Sequence, residues 1–396
     1  MRNAAVGITI AILCLALGAC ADGMEVDVHA QVDTLQGNRL QVMNTGEPSW
    51  TPETAWRLEE DLRLGTVSGE DDPEQFGSIA AIGTDSRDRI YVLDFQALEI
   101  RVFRSTGEFS HIIGGEGSGP GEFMFARSLS IGPGDTLVVR DDGTGRYSVF
   151  SPEGELVSTH QRSIAGANSA VGDVVLSDGS YVDWAPTFPE GRFGSLMELL
   201  PIQYSDGFQQ VDTLPPLEHR WELLPSGMPQ TNYTPSIVGI MGSDGEIWFA
   251  DSGEYRIHRR ELSGDTTLTI ALPAVGVELG DAERETLRSR FANRASYLNE
   301  VLTALPERLP VVQSILLDGE GRLMVLSRVE RDGAKMVVDV FQEEGFYLGS
   351  MDLPVKVPDP SQRQPLVHAT DSHLYLVTRD EFDVEFLSRL RIVRPD

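Results

Sequence analysis

The sequence predicts an all-β protein that folds as a six-bladed β-propeller. A turn rich in aspartate and glycine, followed by an apolar strand with β-branched residues, recurs six times along the 396 residues. Three of the five spacings between these repeats are 47, 44 and 51 residues, and a four-stranded propeller blade takes about 40 to 50. The 39 glycines and 22 prolines are typical of many short strands joined by turns. The equivalent strand positions are Ile90, Leu137, Tyr181, Ile247, Leu323 and Leu374.

The clearest single blade is predicted over residues 76–123. Within it, residues 78–84 form a short apolar run, residues 89–94 a β-branched and aromatic run, residues 99–104 alternate strictly, and residues 108–113 complete the set. Turns rich in glycine, serine and aspartate separate the four runs. Because one such sheet cannot bury its own faces, the chain is expected to repeat it.

The two ends of the propeller domain, residues 54–396, are predicted to meet in one blade. The last unit, residues 366–394, contains three clear strands, and residues 57–67 form a spare strand at the other end of the domain. Pairing the spare strand with the last unit completes the sixth blade. It also removes free strand edges that would favour aggregation.

Two long insertions interrupt the repeat, and the second is predicted to contain one amphipathic helix over residues 281–305. Asp281 can cap its start, and Pro306 stops it. Its apolar residues recur at steps of three and four and therefore lie on one stripe: Leu287, Phe291, Ala295, Leu298, Leu302 and Leu305. The polar side carries four arginines in an acidic chain. They either pair with neighbouring carboxylates or bind the carboxylate or phosphate of a ligand. These residues are Arg284, Arg288, Arg290 and Arg294.

The first insertion, residues 186–235, is rich in aromatic residues. If they are exposed, Trp221 and Phe193 would suit a surface that recognises a peptide or a glycan. The alternative is that both side chains pack in the core.

The formal net charge of −29 argues against nucleic acid as a partner, because an acidic surface repels phosphate backbones. In the predicted arrangement four aspartates each end the second strand of a blade, where their carboxylates around one mouth would suit a cation such as Ca²⁺. The alternative is that each aspartate caps its own turn. These residues are Asp94, Asp141, Asp183 and Asp251.

The first residues have the pattern of a secretory signal. Arg2 supplies positive charge, and residues 4–17 form an almost continuous apolar run that is too short to cross a bilayer comfortably. The sequence Leu17-Gly18-Ala19-Cys20 resembles the lipobox of bacterial lipoproteins.

This resemblance implies that residues 1–19 are a signal peptide and that Cys20 carries the lipid. Residues 20–53 would then tether the domain to the membrane and lay one or two strands on it. Ala21, which stands where aspartate would favour the inner membrane, implies an outer-membrane anchor in the cell envelope. Because Cys14 leaves with the signal, no disulfide or thiol nucleophile is expected in the mature domain.

Three segments resemble NHL-type repeats of six-bladed, TolB-like propellers: IRVFRSTGEF at residues 100–109, GEGSGPGEF at residues 115–123 and GRYSVFSPEGEL at residues 145–156. The chain from residue 48 onward is also similar to a broad group of bacterial propeller lipoproteins. The resemblance implies the fold and leaves the activity open, since some NHL-type propellers are metal-dependent lyases or lactonases.

Catalytic motifs are sparse, because the sequence has no HExxH, GxSxG or EF-hand loop. We therefore expect a monomeric, lipid-anchored, non-catalytic binding or scaffold protein, with a protein, peptide or glycan as ligand. The alternative is a metal-dependent hydrolase or lyase, in which a carboxylate at the channel mouth acts as general base on water bound to Ca²⁺ or Zn²⁺. The expected cofactor is accordingly none, or Ca²⁺.

Overall fold

Six sheets follow one another along the chain, and the first strand of each lies innermost, in contact with the first strand of a neighbouring blade. The computed structural model describes residues 29–35, 37, 39–67, 72–162, 171–187, 197–219, 224–226, 231–330, 334–358 and 365–395. The signal, Cys20, Trp221 and Phe193 lie outside these residues. The six-bladed propeller predicted from the repeat is confirmed.

The strands form blades in chain order. The N-terminal segment contributes β1 (Ala30–Thr34), β2 (Leu40–Asn44) and β3 (Arg57–Leu64). Blade one contains β4 (Ile79–Thr84), β5 (Ile90–Asp94), β6 (Glu99–Phe103) and β7 (Phe109–Gly114). Blade two contains β8 (Ala126–Ile131), β9 (Leu137–Asp141), β10 (Arg146–Phe150) and β11 (Leu156–Gln161). Blade three contains β12 (Val174–Val175), β13 (Tyr181–Thr187), β14 (Met197–Tyr204), β15 (Gln210–Thr213) and β16 (Leu217–His219).

The second half of the ring repeats the pattern. Blade four contains β17 (Ile237–Met241), β18 (Ile247–Asp251), β19 (Arg256–Arg260) and β20 (Thr266–Ala271). Helices α1 (Asp281–Arg290) and α2 (Ala295–Ala304) follow it. Blade five contains β21 (Val312–Leu317), β22 (Leu323–Glu330), β23 (Ala334–Phe341) and β24 (Tyr347–Asp352). Blade six contains β25 (Val367–Ala369), β26 (His373–Arg379) and β27 (Glu385–Val393).

Strand β3 supplies the fourth strand of blade six. It pairs antiparallel with β27 along its whole length, and Leu58 and Leu64 are buried there. Side chains reinforce the pairing, since the Ser388 hydroxyl donates to Glu60 at 2.7 Å and Arg389 Nε donates to Asp61 at 2.9 Å. The predicted closure of the ring is therefore confirmed, and we call the pairing of β3 with β27 the seam.

The segment before β3 is docked on the blades. The β1–β2 hairpin extends blade four, because β2 pairs in parallel with β20. Asn44 then joins two blades by donating to the carbonyls of Ala271, at 3.3 Å, and Gly345, at 3.1 Å. Further along, Trp50 stacks on Trp56 with ring centroids 5.2 Å apart. The prediction of one or two strands laid on the domain is confirmed, and both strands belong to one blade.

The hydrophobic core lies between neighbouring blades as well as within them. Trp248 is buried with residues of blade five, and Trp184 with residues of blade four. Burying a large apolar side chain fully contributes about 1.5 to 3 kcal/mol. The contacts between blades therefore make the ring one cooperative unit.

The prediction of a single helix over residues 281–305 was wrong, because the segment folds back as a helical hairpin. Helix α1 ends at Arg290, and the Arg294 amide donates to the Phe291 carbonyl at 2.8 Å in the turn before α2. A straight helix of that length would span about 37 Å and could not keep its apolar stripe on one small core. The hairpin instead buries Leu287 and Val301 in the same cluster.

Two details of that prediction also change. Gly280, not Asp281, is the N-cap of α1, and its amide donates to Glu283 at 3.0 Å. Ala295, predicted on the apolar stripe, is exposed.

Candidate functional site

The loops that differ most in length between blades lie on one face of the propeller. Because the four strands of a blade alternate in direction, the loop after the second strand and the connector to the next blade open on the same side, which we call the loop face. The amide of Phe95 in such a loop donates to the Ser78 carbonyl at the start of β4, at 2.7 Å. Ser252 makes the equivalent 2.8 Å bond to Ser236 in blade four. The connectors from blade three to blade four and from blade four to blade five also leave from this face. The first predicted insertion was too long, because residues 197–219 within it form β14, β15 and β16 of blade three.

Asp94 and Asp141 hold the loop face together. The two oxygens of Asp94 accept the amides of Gly77, at 2.8 Å, and Ser78, at 3.0 Å, and one of them also accepts the amide of Gln96, at 2.9 Å. Asp141 accepts the equivalent connector amides of blade two at 2.7 and 2.9 Å. Both carboxylates are buried and therefore tie the loop after the second strand to the blade connector.

The other two aspartates are placed differently. Asp251 ends β18 as predicted, is exposed, and accepts the Gly253 amide at 2.9 Å. Asp183 does not end its strand, because it is the third of seven residues in β13 and points between blades two and three. No group of three or more histidine, cysteine, aspartate or glutamate side chains in the described part of the chain lies close enough to hold a metal ion. The structure therefore does not bring the four predicted aspartates together.

Asp183 belongs to a buried network of charges between blades two and three. It accepts Arg140 Nη1 at 3.1 Å, Arg162 Nε at 2.7 Å and the Tyr147 hydroxyl at 2.6 Å. Arg140 also reaches Asp173 at 2.5 Å. Burial acts to lower the pKa of Arg140, but the attraction of Asp173 and Asp183 outweighs it and raises the pKa. Each of these groups is paired within the network, which therefore acts as a structural clamp between blades two and three.

The loop face also exposes apolar side chains on blades six, one and two. Phe382 is 76% exposed and Met124 53% exposed, and Phe125 is 39% exposed. Phe95 is half-buried and meets Phe125 edge-on, with centroids 4.9 Å apart. We call these four residues together with Arg127 the open face. Patches of exposed large apolar groups mark interaction surfaces more often than random surface does.

Arg127 is the polar group of the open face. Its guanidinium lies 4.3 Å from the Phe95 ring centroid and 4.4 Å from that of Phe125. Its Nε is buried without a hydrogen-bond acceptor, and no described residue forms an ion pair with it. Burial lowers the pKa of Arg127, and nearby Asp142 opposes this effect. Asp142 is already engaged by Arg162, at 2.6 Å.

A groove of about 710 Å³ adjoins the open face on the side of blade one. Gly77 and Gln96 line its inner end, and Phe109 and Ile112 its outer end. Arg101 forms part of its wall but is paired with Glu99 at 2.8 Å. The groove therefore offers polar walls and one apolar end.

The two insertions meet in what we call the helical cap, which comprises α1, α2, their flanks over residues 276–309, and residues 224–226 and 231–234. Leu224 and Tyr233 of the first insertion are buried against Leu287 and Val301 of the second. The amide of Ser226 donates to Glu300 at 2.9 Å. The cap thus has its own small core.

The four predicted arginines of the cap are divided by the break between the helices. Arg284, Arg288 and Arg290 belong to α1, whereas Arg294 lies in the turn before α2. Arg288 pairs with Glu285 at 3.2 Å, and Arg290 lies 5.3 Å from the Phe291 ring. The cap therefore does not present one row of four arginines, and their role in ligand binding stays a prediction.

His368 lies on the innermost strand of blade six, where that blade packs against blade one. Its Nε2 is 2.8 Å from the Thr84 hydroxyl on the innermost strand of blade one, and its ring lies 5.7 Å from that of Tyr375. Burial lowers the pKa of His368 to about 4. The side chain is therefore neutral in the folded protein at neutral pH.

We expect this histidine to make the fold sensitive to mild acid. Between pH 6.5 and 5 the unfolded chain binds a proton that folded His368 does not, so stability falls as pH falls, by about 2 kcal/mol over this interval. Urea unfolding at both pH values measures the loss, and His368→Gln should reduce it. An equal pH dependence in the variant and the wild type would contradict this role of His368.

The open face was missed in the sequence. Arg127 carried one usable signal, because a charged residue interrupts the inner strand ARSLSI where apolar residues are expected. The exposure of Met124 and Phe125 had none, since Phe123 next to them is fully buried. That difference arises from packing between blades.

Within the described residues, none of the helices has the length and apolar character needed to cross a membrane. A family described as "6-bladed beta-propeller" (DUF5128) matches residues 71–184. A search of curated proteins finds no match.

Solved structures show the same architecture. A Bacteroides fragilis protein described as exported is 13% identical with a TM-score of 0.55, and the match covers 90% of this chain and all of that one. A member of the DUF4221 family from Bacteroides vulgatus is 9% identical with a TM-score of 0.50, over 86% and 99% of the two chains. A virginiamycin B lyase from Staphylococcus aureus is 11% identical over 86% and 100%, and its TM-score of 0.40 carries no argument about activity. The sheet order, the family match and the two likenesses with TM-scores of 0.55 and 0.50 lead to one conclusion: the chain is a six-bladed β-propeller.

Proposed function

We propose that this protein is a non-catalytic recognition protein of the bacterial cell envelope, anchored by a lipid on Cys20, that binds its ligand on the open face. The observation that carries the proposal is the contact of Arg127, which no described residue pairs, with the rings of Phe95 and Phe125. Met124, next to Phe125 in the chain, and Phe382, on the same face of the ring, add exposed apolar surface. Apolar side chains on rigid loops around a charged anchor are the composition of a binding hot spot.

Two further facts support this function. The signal-like start and the lipobox resemblance agree with the exported description of the Bacteroides fragilis neighbour. The buried carboxylates already serve the fold, because Asp94 and Asp141 on the loop face accept backbone amides and Asp183 between blades two and three holds two arginines. A binding role does not require these groups to be free.

The test compares exposed apolar residues on two different surfaces. Met124→Asp and Phe382→Asp place a charge on the open face, whereas Val157→Asp does so on outer strand β11, where Val157 is 64% exposed. In vivo cross-linking followed by quantitative mass spectrometry should show the native ligand reduced about tenfold by the first two changes only. Equal retention in all three variants would place the ligand elsewhere.

We expect Cys20→Ala to release the protein from the membrane. Without the acylated cysteine the chain has no lipid anchor, and the described residues contain no helix suited to replace it. Fractionation, with metabolic labelling by a palmitate analogue, measures the change. Cys14→Ala is the matched control, and a membrane fraction unchanged by Cys20→Ala would contradict the anchor.

The metal-dependent alternative remains testable with the same protein. We expect purified protein to contain no stoichiometric Ca²⁺ or Zn²⁺ and to keep its melting temperature after chelation. A bound ion whose removal lowers that temperature strongly would favour the hydrolase or lyase instead.

A further inference from the structure

We propose that the ligand of the open face is a peptide segment in which a carboxylate lies beside an apolar side chain, and that Arg127 binds this carboxylate. This inference rests on the proposed function and adds the chemistry of its ligand.

The first argument is the state of the Arg127 guanidinium. Phe95 and Phe125 contact it at 4.3 and 4.4 Å, which restricts the side chain and shields part of it, including Nε, from water. A guanidinium held against rings still has donors along its edge, arranged as a fork that matches a carboxylate. The half-buried side chain is therefore preorganised to bind an anion.

The second argument is that the neighbouring carboxylates are used elsewhere. Asp142 is the acidic residue that attracts Arg127, but its Oδ1 already accepts Arg162 Nη1 at 2.6 Å and lies 3.4 Å from Arg140 Nε. Asp173 and Asp183 are buried against the same two arginines. An incoming carboxylate would provide the partner that Arg127 lacks among the described residues.

The third argument concerns the rest of the ligand. Phe125 contacts the arginine, and Phe125 and its chain neighbour Met124 are exposed apolar groups that offer contact area. A glycan would need several hydrogen-bonding partners for its hydroxyls, whereas an apolar peptide side chain needs contact area. The surface thus fits a peptide better than a sugar.

The net charge of −29 sets the conditions under which such a ligand binds. The acidic surface repels an acidic peptide at long range, but at about 0.15 M salt this repulsion is screened beyond roughly 8 Å. The contact with Arg127 lies within that distance and is partly shielded from water. Specificity then arises at the open face and not from general attraction.

The experiment uses the full mature chain and an array of 12-residue peptides. Each peptide places Glu beside Phe or Leu, and a matched peptide carries Gln in place of Glu. Affinities of selected pairs are measured by fluorescence polarisation for the wild type, Arg127→Gln, Phe125→Ala and Arg104→Gln. Arg104 is a surface arginine paired with Glu108 on the outer edge of blade one, and it serves as the control.

We expect the Glu peptides to bind about 10- to 100-fold more tightly than the Gln peptides, and Arg127→Gln to abolish this difference. Phe125→Ala should weaken both peptides of a pair, and Arg104→Gln neither. Circular dichroism confirms that each variant is folded.

Three results would overturn the inference: equal affinity for Glu and Gln peptides, an unchanged preference in Arg127→Gln, or binding of an acidic oligosaccharide such as oligogalacturonate and of no peptide. The proposed function would survive each of these if a native ligand still depended on Met124 and Phe382. Loss of that dependence would instead remove the proposed function itself.

Discussion

Replacing Asp183 by alanine is expected to destabilise the propeller by about 3 to 5 kcal/mol, because it leaves two buried arginines without their shared partner. Arg140 and Arg162 are almost fully buried, at 3% and 7% exposure, and both donate to Asp183. The Tyr147 hydroxyl loses its 2.6 Å bond as well. Equilibrium unfolding in urea measures the effect.

Asp251→Ala is the matched control for this prediction. Asp251 was predicted to be equivalent to Asp183, but it is exposed and its carboxylate accepts the backbone amide of Gly253 at 2.9 Å. Its loss should cost about 1 kcal/mol or less. If both variants lost the same stability, the buried network would not be the reason.

Deleting residues 54–68 is expected to abolish cooperative folding of the monomer. The deletion removes β3, so blade six keeps three strands and the edge of β27 is left open to other molecules. Leu58 and Leu64 are lost from two separate cores at the same time. Size-exclusion chromatography with light scattering, together with thermal unfolding, should show an oligomer or an unfolded chain.

Deleting residues 29–45 is the control for the deletion of residues 54–68. That change removes β1 and β2 but leaves blade four with its own four strands, so a smaller loss of stability is expected. The single change Leu64→Asp tests the seam without shortening the chain. A monomeric deletion of residues 54–68 that melts like the wild type would refute the importance of the seam.

The ring was predictable because its signals are local. A blade is recognisable in the sequence by a turn such as the one at Asp85, where the carboxylate accepts the amides of Arg87 and Arg89, both at 2.9 Å. The missing strand in the last unit then implied the seam. The spacing of the repeats and the residues of their turns do not depend on which distant residues pack against the blades.

The site was not predictable to the same degree, because it depends on contacts between distant residues. The helix prediction failed since Leu224 and Tyr233, far away in sequence, provide the small core that the hairpin surrounds. Asp183 and Asp251 look alike in sequence, yet one faces Arg140 across a blade interface and the other faces solvent. The contact of Arg127 with two aromatic rings likewise requires Phe95 from another blade.

The seam also constrains when the protein can mature. Glu60 and Ser388 meet across 328 positions, so a strand that leaves the ribosome among the first residues finds its partner only after the last ones appear. Contacts this distant in sequence make folding slow. Until they form, the intermediate is an open ring with unpaired strand edges that can aggregate. A cell that makes this protein must therefore shelter an almost complete but unfinished chain until its final few residues arrive.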